Sequence, residues 1–262
     1  MTARPYQIGD NVKLGNGVKV GYGAYIEDGA VIGDNVVVGH CAVIQLGSII
    51  EENSQIGPGC VIGHPTKMEM QAWDFSASSS KVKDLIVKNP VTVIGRGSVI
   101  RSGSVVYRHV VAGKGVRTGH NVLIREHTTL GDEVIVGTRA VLDGYIQVGN
   151  RSMIQSQCYI AQSVRIGNGV FIAPGCLFFD NKKIVLGEGL NGAKVEDYVR
   201  IGGGSKILPG VTIGRCALVG AGSVVTRDIP EKAIAFGVPA EIKGFQSDDE
   251  IDAYVNAVMS WR

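Results

Sequence analysis

The sequence predicts an all-β chain, a parallel β-helix of about ten triangular coils with two loop excursions and a short C-terminal helix. Three observations predict it. A six-residue pattern recurs along most of the chain, its second position aliphatic; the 37 glycines gather in that pattern, often at its third position; and its sixth position is small or β-branched. Alternation explains the rest. The sixth, first and second positions form a short strand whose sixth and second side chains face inward and whose first faces out, while positions three to five turn a corner. Glycine at the third position suits a corner that needs a positive φ or a close backbone approach.

The elements follow in order. From Gln7 to Thr66 ten hexads run without a gap, among them QIGDNV, KLGNGV, KVGYGA and VIGDNV. A second run of fourteen covers Val93 to Cys176, and a third of six covers Lys194 to Ile229. Three hexads close one coil, so each residue lies above the one eighteen positions earlier, one coil spacing of about 4.8 Å away. The excursions are Lys67–Thr92, a polar segment carrying Trp73 and Phe75, and Leu177–Ala193, which contains Asp180 and Asn181. After Pro230 the repeat ends. The β-helix domain is expected over 1–245 and the C-terminal helix over 246–262. Ser247 and Glu250 form a capping box there, with Ile251, Tyr254, Val255, Val258 and Trp261 on one face.

Composition narrows the function classes. A net charge of +2 provides no broad basic field of the kind that nucleic acid or an anionic membrane demands. No apolar run approaches the roughly 20 residues that span a bilayer, and no charged leader precedes a shorter one. The expectation is a cytoplasmic protein with small-molecule partners, without nucleic acid or membrane. Five cysteines with no CxxC spacing fit neither a disulfide framework nor a zinc site and read as buried thiols.

The pattern breaks in RTGHNVLIREHTTLGD, Arg117 to Asp132. Thr118 fills a mostly aliphatic slot, Arg125 stands where glycine is usual, and His120 and His127 fall close together. The stacking rule places Tyr107 below Arg125 and Asp143 above it, Arg108 below Glu126, and His109, His127 and Tyr145 in one ladder. Two opposite-charge pairs across adjacent coils are therefore expected. Sequences break a local rule where function requires it. A convex prism edge cannot enclose a substrate, so a concave site needs a second chain.

Taken together, the hexads resemble the hexapeptide-repeat superfamily, and from that resemblance come the left-handed winding and a homotrimer with clefts between prisms. The stretch KILPGVTIGRCALVGAGSVVTRDIPEKAIAFGVPAEIKG, Lys206 to Gly244, resembles the acyl-donor end of acetyl-CoA-dependent members. The resemblance implies Gly203, Ala221, Gly222 and Ser223 along the pantetheine arm, with Lys206, Arg215 and Arg227 for phosphates. RTGHNVLIREHTTLGDEVIVGTRAVLDG is similar to the nucleotide-linked amino-sugar N-acyltransferases. IRE is also shared with the O-acyltransferase that starts lipid A synthesis, but Gln162 stands where that enzyme carries its catalytic histidine. Under this resemblance an acetyl or other acyl group moves from acyl-CoA to the amine of a nucleotide-linked amino sugar, with His120 as general base. Arg125, Glu126 and Asp143 orient the substrate, and Asp180 and Asn181 bind its hydroxyls or amine. Members often carry Thr-Asn-Asp-Lys near the second loop where this chain reads FFDNKK. The γ-class carbonic anhydrases share the prism, but their zinc needs a closer histidine pair than His120 and His127, and no metal is expected here.

Overall fold

The computed structural model describes residues 5–71, 92–183 and 190–261. It is a left-handed parallel β-solenoid of about 11 turns with a C-terminal helix. The chain divides into two compact units, residues 1–128 and 129–262.

In the first unit, strands of mostly two residues pair in parallel with the strand one coil later: Gln7 with Tyr25, Lys13 with Val31, Lys19 with Val37. The first excursion leaves the phase intact, because Val61 pairs with Val105 and Gln55 with Val99 across it. Second-position side chains form inward columns, Ile26, Ile44, Ile62, Val106 and Ile124 in one of them, each at most 2% exposed. Each such burial stabilises by about 1.5–3 kcal/mol relative to exposure, which a two-residue strand could not supply from its own hydrogen bonds. Buried sixth-position serines are satisfied locally; Ser104 Oγ donates to the Arg101 carbonyl at 2.7 Å. The excursion opens with helix α1, Lys67–Gln71, capped by Thr66: its hydroxyl accepts from the Glu69 amide while Glu69 accepts from the Thr66 amide. Trp73 and Phe75 lie outside the described residues.

The second unit repeats the scheme, with Thr129 opposite Gln147, Ile135 opposite Met153 and Val141 opposite Tyr159. Its excursion begins later than the hexads suggest. Leu177–Phe178 is still a strand, paired with Lys206–Ile207, and Phe178 is fully buried. Beyond Pro230, where the sequence shows no hexad, the chain folds into a hairpin, Ala233–Gly237 with Ala240–Phe245, whose first strand pairs in parallel with Leu218–Val219. Helix α2, Asp248–Ser260, starts with the expected capping box. Ile251 and Val258 are buried, whereas Trp261 is the exposed C-cap and does not join that face.

The two uses of glycine separate by position. Third-position glycines are close approaches at ordinary φ: a Cβ on Gly33 would stand 2.6 Å from the Glu52 amide nitrogen. Positive φ falls mostly on the fifth position, at Gly59, at asparagines such as Asn35, and at the bulkier His109 and His127, with Gly63 at a third position and Gly144 at a fourth as exceptions. Four cysteines are buried, and Cys41 is exposed.

Candidate functional site

The coil that breaks the pattern distributes its unusual residues over two corners. His120 follows the strand Arg117–Thr118, and Arg125, Glu126 and His127 follow the strand Leu123–Ile124. Adjacent in sequence, they occupy different corners of the triangle.

At the first corner, Thr118 is buried and its Oγ1 accepts from the Arg101 amide at 2.9 Å, taking the donation that a strand carbonyl receives in neighbouring coils. The aliphatic slot therefore holds a hydroxyl because the ladder is locally rerouted. Two residues on, His120 is exposed, and its Nδ1 lies 2.7 Å from Ser102 Oγ, one coil below. The same column continues down through Pro58 to His40, whose Nδ1 accepts from the Tyr22 amide at 2.8 Å. His120 and His40 both border an open groove of about 670 Å³ along this face, floored by Val37, Val99 and Ile100. Ser102 was within reach of the eighteen-residue rule applied to His120. His40 requires the first excursion to be subtracted as well.

At the second corner the stacking rule holds, and one of the expected charge pairs, Arg108 with Glu126, is exchanged for another. The Arg125 guanidinium lies 5.9 Å from the Tyr107 ring centroid, and His109 and His127 stack with centroids 4.9 Å apart. Arg125 pairs with Glu126 of its own corner at 2.8 Å, and the buried Arg108 turns to Glu69 of α1 at 3.0 Å. The expected Arg108–Glu126 pair is replaced because Glu69 brings a carboxylate that the hexads do not contain. Glu69 Oε1 also lies 3.4 Å from His109 Nε2. Burial alone would raise the Glu69 carboxyl pKa; hydrogen bonds from the Thr66 amide and hydroxyl, with the Arg108 and His109 charges, outweigh it and hold the group below its usual range. Burial is also what lowers Arg108.

The remaining expected residues lie in the second unit. Asp143 accepts from the Tyr159 hydroxyl at 2.7 Å. Asn181 caps its own turn, its Oδ1 accepting from the Lys183 amide, and Asp180 presents its carbonyl to the Asn191 amide. The residues assigned to the acyl donor do not form one patch. Gly203, Ala221 and Gly222 share one corner, where the Gly222 amide donates to the Gly203 carbonyl, and Ser223 is buried with its hydroxyl on the Gly220 carbonyl. Arg215 lies at another corner, 3.7 Å from Glu231 and over the Tyr198 ring. Arg227 belongs to the third corner, and Lys206 points outward from the strand leading to it. Among the described residues no group of three or more His, Cys, Asp or Glu side chains converges as a metal site, and no helix is long and apolar enough to cross a membrane.

Comparison with known proteins agrees with this architecture. The bacterial transferase hexapeptide pattern (six repeats) matches residues 6–45, 145–179 and 192–227. A galactoside O-acetyltransferase of Lactococcus lactis is 43% identical over 60 residues, 23% of this chain and 29% of the relative. A dTDP-3-amino-3,6-dideoxy-alpha-D-galactopyranose 3-N-acetyltransferase of Aneurinibacillus thermoaerophilus is 57% identical over 51 residues, 20% of this chain and 27% of the relative. These matches span less than a third of either relative's length. A UDP-N-acetylglucosamine acyltransferase structure from Bacteroides fragilis superposes with a TM-score of 0.54 at 20% identity, covering 98% of this chain and 83% of its own, a likeness of fold. The chain thus carries the bacterial transferase hexapeptide pattern on a left-handed β-helix and is similar over short stretches to acetyltransferases.

Proposed function

We propose that the protein is an acyl-CoA-dependent N-acyltransferase that moves an acetyl or other short acyl group to the amine of a nucleotide-linked amino sugar, with His120 as the general base. The observation that carries the reading is the Ser102–His120 pair at the edge of an open groove: an exposed imidazole whose Nδ1 is oriented by a hydroxyl one coil away. With Nδ1–H donating to Ser102 Oγ, the neutral ring carries its basic lone pair on Nε2. The amine nitrogen attacks the thioester carbonyl, Nε2 takes the amine proton, and the tetrahedral intermediate collapses with loss of the CoA thiolate, which recovers that proton. Such a base contributes on the order of 10²–10⁴-fold. Because a neutral amine attacks without prior deprotonation and the ammonium formed sheds its proton readily, positioning supplies much of the remainder.

The groove is open on one side, and a neighbouring copy of the chain in a homotrimer would close it. Such a copy would also bring Arg125, Glu126, Asp143, Asp180 and Asn181 of one protomer toward the His120 corner of another. The local identity to a sugar O-acetyltransferase supports a second reading, a sugar hydroxyl as acceptor through the same base.

Acetyl-CoA offered with a panel of nucleotide-linked amino sugars, with thiol release followed in the wild type and in His120→Ala, tests the proposal. A loss of turnover of a hundredfold or more with CoA affinity retained is expected. Equal turnover in the two proteins would remove His120 from the chemistry.

A further inference from the structure

The groove beside His120 differs in charge from two further grooves on this molecule. A groove of about 350 Å³ in the second unit sets Arg165, Lys194 and Arg215 against Glu196 and Asp197, and one of about 380 Å³ in the first unit sets Arg96 against Glu51 and Glu52. Both are balanced. The groove of about 670 Å³ is lined by Lys19, Arg101, His40 and His120, and among the described residues no carboxylate lines it. Two uncompensated cations along a low-dielectric face favour an anionic ligand.

His40 adds a donor of fixed sense. Because the Tyr22 amide donates to Nδ1, the neutral ring must carry its hydrogen on Nε2. At equivalent corner slots the same amide is accepted by Asp28, Asp34 and Asn150 through Oδ1, at 2.9, 2.7 and 2.8 Å. A short side chain therefore suffices for the structural bridge, and the imidazole at position 40 adds an exposed N–H that those residues do not place there. From His40 the column steps through Pro58 and Ser102 to His120. Three coil spacings make roughly 14 Å. A diphosphate joined to a sugar, or to a pantetheine arm, covers that distance.

We propose that this groove binds the diphosphate of an elongated substrate, with Lys19 and Arg101 neutralising it and His40 Nε2–H donating to a phosphate oxygen, while the reacting group lies at His120. Only the last clause rests on the acyltransferase reading. Nucleotide-linked sugars and coenzyme A share the diphosphate, and the test separates them. Calorimetric titration of the full chain with uridine diphosphate or thymidine diphosphate alone, and with coenzyme A alone, is compared with Lys19→Gln, Arg101→Gln and His40→Asn. The asparagine keeps the bridge to the Tyr22 amide and deletes the outward donor.

Each variant is expected to weaken one class of probe by about tenfold or more, the loss typical of a charge-assisted hydrogen bond, with the unfolding midpoint unchanged. The class affected identifies which substrate lies there. A wild type that binds none of the probes, or variants that leave every affinity within twofold, overturns the proposal. Turnover plays no part in this readout, so a failure of His120 as base and a failure of the diphosphate site are distinguishable.

Discussion

Ser102 and His120, eighteen residues apart in sequence, meet across neighbouring coils with Oγ 2.7 Å from Nδ1. A histidine on a convex corner has little packing to hold its ring, so this contact decides which nitrogen faces outward. Ser102→Ala should lower kcat about tenfold while leaving the KM for acyl-CoA within twofold, and Ser102→Thr, which restores a hydroxyl, should recover most of the loss. A variant that loses kcat and recovers nothing with threonine would assign Ser102 to the fold alone.

The corner on which Glu69 docks offers a pH readout. Its carboxyl sits below the usual range through Thr66, Arg108 and His109, against the upward pull of burial. A depressed folded value means stabilisation that is complete above the unfolded value near 4.5 and is lost as pH falls through the folded one. Wild type should therefore unfold at higher temperature than Glu69→Gln at pH 7, and the gap should narrow as pH falls below 4.5. A gap that persists unchanged at pH 3 would place the Glu69 contribution in packing.

Glycine at the third hexad position is predicted to be indispensable for space. An alanine at Gly33 would press its Cβ on the Glu52 backbone at 2.6 Å, where only coil separation can yield. Gly33→Ala should cost about 1–3 kcal/mol in urea denaturation, in the range for overpacking. Gly244→Ala, where a Cβ meets nothing within 4 Å, should be neutral within about 0.5 kcal/mol. Equal costs at the two sites would refute the close-approach account.

These particulars show what the sequence carried and why the rest was hidden. The ladder Gln7, Tyr25, Val43 is legible because each hexad repeats the same inward and outward alternation, and the stack of His109 on His127 follows from the eighteen-residue step alone. The separation of His120 from Arg125 does follow from the hexads, since they fall in successive ones, RTGHNV and LIREHT, and so turn different corners. The Arg108–Glu69 pair does not follow, since Glu69 comes from an excursion that obeys no period. The hairpin 233–245 was missed for a related reason: its first strand joins the last coil in parallel and then reverses, so the hexad ends while pairing continues.

The C-terminal helix provides a last prediction, on the alkaline side. Tyr254 on α2 donates its hydroxyl to the Gly169 carbonyl at 2.8 Å, and the Arg200 guanidinium lies 4.9 Å from its ring centroid. Burial pushes its pKa up to about 12 from an ordinary 10, against the opposing pull of Arg200. A raised folded value means that the helix's attachment is complete below pH 10 and is lost as pH rises toward 12. Tyr254→Phe should cost about 1 kcal/mol at neutral pH, the net worth of one hydrogen bond. It should also flatten the fall of stability between pH 10 and 12, and a late step in the wild-type 295 nm titration should be absent from the variant. If every tyrosine ionises near pH 10 while the protein remains folded, Tyr254 is not held as described and the helix owes its attachment to Ile251 and Val258.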